Sequence, residues 1–434
     1  MGLRFLRSRW RLLAIAGLAT ALVAGTAGCG GGADANTLTY WSMWKVGEPQ
    51  QKVLAHAIDD FQRSTGIHVD VQWQGRNNVQ KLVPALNTNA VPDLIDGSYV
   101  NLYPALAATK QAHGLGSAYR AKVDGQRVES LIPAKYRKGI DLKLDGGQPW
   151  LLPYTVTSDA VWFNAKRHPE LVHNPPKTWA RFVSVLDEMK AAGQTPLAAD
   201  GDVAGYNAAY FVTLVDRNLG PGAFKKIAAD KTVAGWDDPG VLDAARKVRQ
   251  LVSGHYLIKG YGASKFPAQQ QKWADNKAEL MFMGSWLPTE SAAYAAKDFS
   301  YASFPFPTTP AGHDSVRADF SGFAVPAKAE HASAAQRFAA FFLGKKYQDE
   351  LGTKAKIIPI RSDADTAPQL TGVTTALARA DSFHQQNDGV AYPGFNEKVF
   401  WPKDDELFHG KLTPQQFVHR MKAAQVSYWK TQRR

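Results

Sequence analysis

The sequence predicts an α/β protein of two domains, each a mainly parallel sheet flanked by helices, and three observations carry that prediction. The chain has 434 residues, more than one hydrophobic core usually serves. From Thr37 to Ser98, β-prone and amphipathic segments alternate at the spacing of a strand–helix–strand–helix–strand unit. A long β-prone run, Trp150 to Asn164, is interrupted at Pro153, which suits a segment leaving one lobe for another better than a central strand with a full hydrogen-bond ladder. The composition, 45% hydrophobic and 21% charged, is globular and shows no disorder bias.

Residues 1–28 stand apart from the fold. Arg4, Arg7, Arg9 and Arg11 precede an uncharged run, Leu12 to Gly28, whose apolar centre is shorter than the roughly 20 residues a spanning helix needs, so it reads as a signal h-region. The run ends in TAGC, and Cys29 is the only cysteine, so it has no internal disulfide partner. Its position resembles the lipobox of bacterial lipoproteins, with Thr26 departing from the usual Leu or Val; the resemblance implies lipidation of Cys29, and plain secretion is the alternative. Residues 29–36, with three glycines, read as a flexible tether. Loss of the four leader arginines takes the formal charge from +12 to +8. The densest basic clusters, Lys135 to Lys138 and Arg246 to Arg249, accompany no nucleic-acid motif and read as solvated surface.

Thr37 to Trp44 reads as a first strand. A helix with Val53, Leu54, Ala57, Ile58 and Phe61 on one face follows, stopped near Gly66. Ile67, Val69, Val71 and Trp73 alternate as a second strand, Val79 to Leu86 as a second helix, and a third strand ends at Asp96-Gly97. Ligands of such sheets bind at the carboxyl ends of the strands, here Trp44-Lys45, Gln74-Gly75 and Asp96-Gly97-Ser98. Thr178 caps a helix bearing Phe182, Val185, Leu186 and Met189, stopped at Gly193. Leu280 to Met283 is a short apolar strand ending at Gly284-Ser285-Trp286. A helix carries Ala335, Phe338, Ala339 and Phe342. Thr413 and Pro414 open a last helix with Phe417, Met421, Ala424 and Tyr428 as its apolar stripe.

Five segments in order resemble the sugar-type extracellular solute-binding proteins of bacterial ABC importers: FQRSTGIHVDVQWQ with QKLVPALNTNAVPDLIDGS, PWLLPY…VWFN…PPKTW with KAAGQTPLAADG, WADNKAELMFMGSW, ADFSGFAVP and IIPIRSD. The resemblance implies the two-lobe periplasmic-binding-protein-like fold with a multi-strand hinge. Lobe 1 would comprise residues 37–156 and 319–360, and lobe 2 residues 157–318 and 361–434, with crossovers near 150–158, 305–320 and 358–362. It further implies a monomeric, non-enzymatic receptor that closes on a carbohydrate and delivers it to ABC permease subunits. The protein would touch the membrane only through its lipid anchor, and would bind no nucleic acid and no cofactor.

The same resemblance suggests the site. Trp286 would stack on a sugar ring, since an indole offers a flat apolar face with a donor at its rim; a half-buried interface Trp is the bland reading. Asp96 and Ser98, with Trp44 and Lys45, would bind hydroxyls from lobe 1. Thr157 stands where a maltose-type relative carries an acidic contact, which argues against maltose. Tyr206, Tyr210, Gly322 and Arg361 complete the set; for Arg361 a surface salt bridge is an equal reading. No HExxH, P-loop or GxSxG is present, and the closest histidines, His168 and His173, lack a companion at metal-ligand spacing. Asp187-Glu188 and Asp404-Asp405-Glu406 read as solvated faces. The runners-up are a glycerophosphodiester, polyol-phosphate or peptide binder of the same fold and, behind it, a secreted glycan-degrading enzyme with two carboxylates across a cleft.

Overall fold

The computed structural model describes residues 36–88, 90–139, 142–144, 146–386 and 392–432. The leader, Cys29 and nearly all of the tether lie outside the described residues. In chain order the strands are β1 (Thr37–Ser42), β2 (His68–Trp73), β3 (Leu94–Ser98), β4 (Lys122–Val123), β5 (Gln126–Arg127), β6 (Leu152–Thr157) and β7 (Asp159–Asn164). Then come β8 (Leu197–Ala198), β9 (Leu280–Gly284), β10 (Tyr301–Phe304), β11 (Ser315–Arg317), β12 (Asp319–Ala324), β13 (Ile358–Pro359) and β14 (Ser382–His384).

Two sheets organise the molecule. A six-stranded sheet runs β13-β6-β12-β3-β1-β2, and a four-stranded sheet runs β10-β7-β9-β8. The strand–helix alternation at the start of the chain produces parallel pairing of β1 with β2 and with β3, the arrangement that crossover helices impose. The later additions are antiparallel: β12 joins β3 and β6, and β13 joins β6. The result is a mixed sheet rather than the mainly parallel one the sequence suggests. The four-stranded sheet is likewise mixed, with only β8 parallel to β9.

The long run from Trp150 is two strands, and its break falls at Ser158, not at Pro153. Pro153 sits inside β6, opposite Gly322. It is tolerated there because β13 covers only Thr155 and Val156, and because the pairing with β12 slips between Ser321 and Gly322, as at a bulge. Gly322 is needed at that slip: a Cβ would lie 2.6 Å from the Leu152 carbonyl oxygen and 2.8 Å from Pro153 Cα.

Three apolar layers cover the sheets. Tyr40, Phe61, Phe323 and Phe338 belong to a core that extends to Trp162 and Met281. Phe163, Phe182, Phe211 and Phe282 fill the other face of the four-stranded sheet, and Ile95, Leu102 and Trp150 the other face of the six-stranded one. Within β7, Val161 and Phe163 point to one layer while Ala160 and Trp162 point to another, the period of two a doubly covered strand requires. The helix ends follow local chemistry: Thr178 Oγ1 accepts from Arg181 N (3.3 Å), Gly66 takes a left-handed φ of 70°, and Thr413 and Gln416 form a capping box.

The chain passes between the sheets three times. The first passage is the single residue Ser158, between β6 and β7, and the second is the stretch from β10 through β11 into β12. The third leaves β13 and continues through the helix Thr371–Arg379 to β14, which pairs in parallel with β11; it extends well beyond residue 362. These passages lie side by side, so they form one hinge region.

Candidate functional site

A cleft of about 800 Å³ opens between the two sheets. From the six-stranded side come Arg76 and Gln80 on the segment after β2, Ser98 at the carboxyl end of β3 and Asn101 just past it. From the other side come Asp202 and Tyr206 at the start of the helix Ala204–Leu219, then Trp286, Asn396, Glu397 and Trp401. Thr157, Arg317, Asp319, Ser321 and Gln386 form the floor, where the chain passages meet. Strand ends supply polar groups here because β3 stops at Ser98 with its backbone turning into the helix Tyr99–Leu102, the location expected for ligands of such sheets.

Of the residues singled out in the sequence, the structure brings Trp286, Tyr206, Ser98 and Thr157 together in this cleft. Trp286 follows Gly284 at the end of β9, and its ring lies over that glycine so closely that a Cβ there would meet it at 2.1 Å. Tyr206 lies beside it, ring centroids 6.0 Å apart and planes 33° apart. The Arg317 guanidinium rests 5.5 Å from the indole centroid. Burial, reinforced by the charge of Glu290, pushes the Tyr206 hydroxyl well above the usual phenol range, so it stays a neutral donor and acceptor. Burial also raises the nearby Asp200 carboxyl to about 6.

The other six do not line the cleft. Asp96 is fully buried; its Oδ1 accepts from Met43 N (2.8 Å) and its Oδ2 from the Tyr154 hydroxyl (2.5 Å). Burial raises its pKa against the pull of those hydrogen bonds. Trp44 is buried as well and donates its indole N–H to Tyr154 Oη (2.9 Å), while Arg76 covers its ring at 4.4 Å. Trp44, Tyr154 and Asp96 thus form a relay that staples the end of β1 to β6. Lys45 is exposed beside this staple and its alkyl stem packs on Gly75. Tyr210 points one turn away from Tyr206 into the core, 4.9 Å from Phe282 and 5.2 Å from Phe408. Gly322 serves strand packing. Arg361, only 3% exposed, forks onto Asp363 (2.9 and 2.8 Å) and bonds Asp124 (2.5 Å) and the Leu343 carbonyl (3.0 Å). Its fork is already occupied, so it offers nothing to a ligand.

Sequence reasoning missed Arg317, Asp319, Gln386, Asn101, Asp202 and Trp401. These residues come from segments far apart in the chain with no local motif; only Asp319, which lies within ADFSGFAVP, carried any signal. One smaller expectation also changes. Asp404 is fully buried rather than solvated, and neither of its carboxyl oxygens has a hydrogen-bond partner among the described residues. His168 and His384 are buried too. Among the described residues no group of three His, Cys, Asp or Glu could hold a metal ion, and no helix is long and apolar enough to cross a membrane. A second groove, about 650 Å³, runs along β10 beside the helix Thr371–Arg379, where apolar residues such as Phe163, Leu171 and Phe304 alternate with Lys177, Arg217, Asp314 and Arg379.

Two sheet-based lobes with a ligand-sized cleft over a three-passage hinge define a class, the two-lobed binding protein. The chain belongs to the bacterial extracellular solute-binding protein family, whose pattern matches residues 47–349. It is 24% identical over 218 residues to the diacetylchitobiose binding protein of Streptomyces coelicolor, an alignment taking in 49% of this chain and 45% of that one. The chain thus spans under half the length of that relative. It is 22% identical over 350 residues to the multiple sugar-binding protein of Streptococcus mutans, covering 77% of this chain and 79% of that one. In fold it is similar to the GacH receptor of Streptomyces glaucescens, solved unliganded and with acarbose, with a TM-score of 0.69, 17% identity, and 91% and 97% of the two chains covered.

Proposed function

We propose that this protein captures a carbohydrate in the cleft between its two sheets and presents it, lobes closed, to the membrane subunits of an ABC importer. In this reading it works outside the cytoplasm, held at the membrane by a lipid on Cys29, and catalyses nothing. The observation that carries the proposal is the pairing of Trp286 and Tyr206 in a cleft rich in hydrogen-bonding groups, whose two arginines, Arg76 and Arg317, are already paired with carboxylates. A pyranose has apolar C–H faces and a hydroxyl rim, and aromatic faces beside Ser98, Asn101, Thr157 and Asp202 suit both. Contacts to both lobes favour the closed state, and only that difference in affinity can drive closure. Sugar-binding relatives on both sides of the comparison support the ligand class.

The phosphate-binding alternative is weaker, because the arginines it would call on are committed: Arg361 to Asp363 and Asp124, Arg76 to Glu48, and Arg317 to Asp159 and Asp319. The test is a thermal-shift panel of diacetylchitobiose, raffinose, galactose, acarbose, glycerophosphodiesters and short peptides. Ligand binding to the folded state raises its melting point, so a sugar should give the largest shift. A response confined to phosphodiesters or peptides would overturn the reading, and so would release of cleaved sugar.

A further inference from the structure

Each of the three passages between the sheets contributes a polar side chain to one buried cluster. Asp159 opens β7, one residue past Ser158; Arg317 closes β11 and Asp319 opens β12; Gln386 follows β14. Arg317, whose side chain is 6% exposed, meets all of them. Its Nη1 donates to Asp159 Oδ1 (2.6 Å), its Nε to Asp319 Oδ2 (2.6 Å) and its Nη2 to Gln386 Oε1 (2.8 Å). Gln386 closes the ring, its backbone N–H donating to both Asp319 oxygens (3.1 and 3.0 Å) and its Nε2 to the Gly205 carbonyl (3.1 Å). Gly205 precedes Tyr206, and the other side of the guanidinium contact is the Trp286 ring.

We propose that Arg317 is the latch of the hinge, a positioning residue that binds the three passages into one unit and holds the aromatic platform of the cleft against it. A planar fork with five donors can satisfy three partners at fixed angles; an ammonium cannot. Rotation of one lobe on the other must bend these passages, so the ring either moves as a body or breaks. In the free protein it therefore narrows the range of lobe angles. A sugar on Trp286 presses on a side chain joined to all three passages, which passes occupancy of the cleft to the hinge. That last step rests on the proposed function; the latch itself does not.

The test is made on the full chain without sugar, so that it fails separately from the sugar reading. Arg317→Lys should raise amide exchange at least tenfold in residues 156–160, 317–320 and 384–386, while β3 and β9 keep wild-type protection. It should also broaden the distribution of radius of gyration in small-angle scattering. If Arg317→Lys does not fold, Arg317→Met with Asp159→Asn and Asp319→Asn gives the same readout, since it leaves no unpaired buried charge. Unchanged exchange in the three segments would overturn the latch. An equal loss across β3 and β9 would do so too, since it would mark Arg317 as a contributor to general stability only.

Discussion

Replacing Gly284 with Ala tests the platform without substituting Trp286 or any residue lining the cleft. The new Cβ would lie 2.1, 2.2 and 2.5 Å from three atoms of the Trp286 six-membered ring, far inside van der Waals contact, so the ring must leave its position. Its neighbours are side chains, Tyr206 and Arg317, and Trp286 is only partly buried; the displacement therefore goes toward the cleft rather than into the core. An aromatic contact is worth about 0.5–1.5 kcal/mol beyond the area it buries. Losing both parts should cost about 1.4 kcal/mol or more, a tenfold weakening. Titration calorimetry with the best sugar from the thermal-shift panel should show this for Gly284→Ala, and at least as much for Trp286→Ala, with a cooperative melt retained in each. Wild-type affinity in both variants would remove Trp286 from the site and the reasoning with it.

Three other expectations follow from side-chain environments. Arg361→Ala should lower stability by about 1–3 kcal/mol through lost charged hydrogen bonds yet leave sugar affinity unaltered; chemical denaturation and calorimetry on one preparation separate the two. His168 is buried between Glu279 (2.7 Å) and Glu170 (3.0 Å). Burial pushes the imidazole down, but the two carboxylates outweigh it and hold it above its ordinary 6.5. Burial likewise pushes Glu279 up, and His168 and Arg167 outweigh that to hold it below 4.5. A raised histidine stabilises fully below its unfolded pKa and loses that contribution as pH rises through the folded one. A depressed glutamate contributes above its unfolded pKa and loses it on acidification. The pair should therefore be strongest at roughly pH 4.5–6.5, and the melting penalty of His168→Asn should shrink toward pH 9; a flat penalty would refute the assignment. Asp404 is held protonated, well above the carboxylate range, by burial and the charge of Asp405. A raised acid favours the folded state at low pH and penalises it as pH rises, so Asp404→Asn should raise the melting point at pH 8 and lose that advantage in acid. An Asn variant no more stable at pH 8 would contradict this.

Much of the architecture was legible in the chain because it is local. The first helix shows its apolar face at Val53, Leu54, Ile58 and Phe61, all buried, and period alone reveals such a face. Thr178 and Thr413 announce helix starts through side-chain chemistry confined to four residues. The parallel character of the first three strands follows from the helices between them. The antiparallel additions β12 and β13 do not, since they arrive from residues far downstream and no local pattern states which neighbour they will meet.

The site divides in the same way. Trp286 was legible because a Gly-Ser-Trp turn at a strand end exposes an indole whatever surrounds it, and Ser98 because it ends a strand of a parallel unit. Asp96, two residues earlier on the same face of that strand, is closed over by Tyr154, more than fifty residues on. Arg361 could have met a ligand or a carboxylate; Asp124 and Asp363 decided it. The sequence by itself determined the helices with a clear apolar face, the first parallel strands and the indole at the end of β9, because each depends on neighbours within one or two turns of chain. Only the tertiary structure decided which polar groups face the cleft and which are spent holding the hinge together, because a charged side chain takes its role from the partner it meets, and those partners come from every passage between the two sheets.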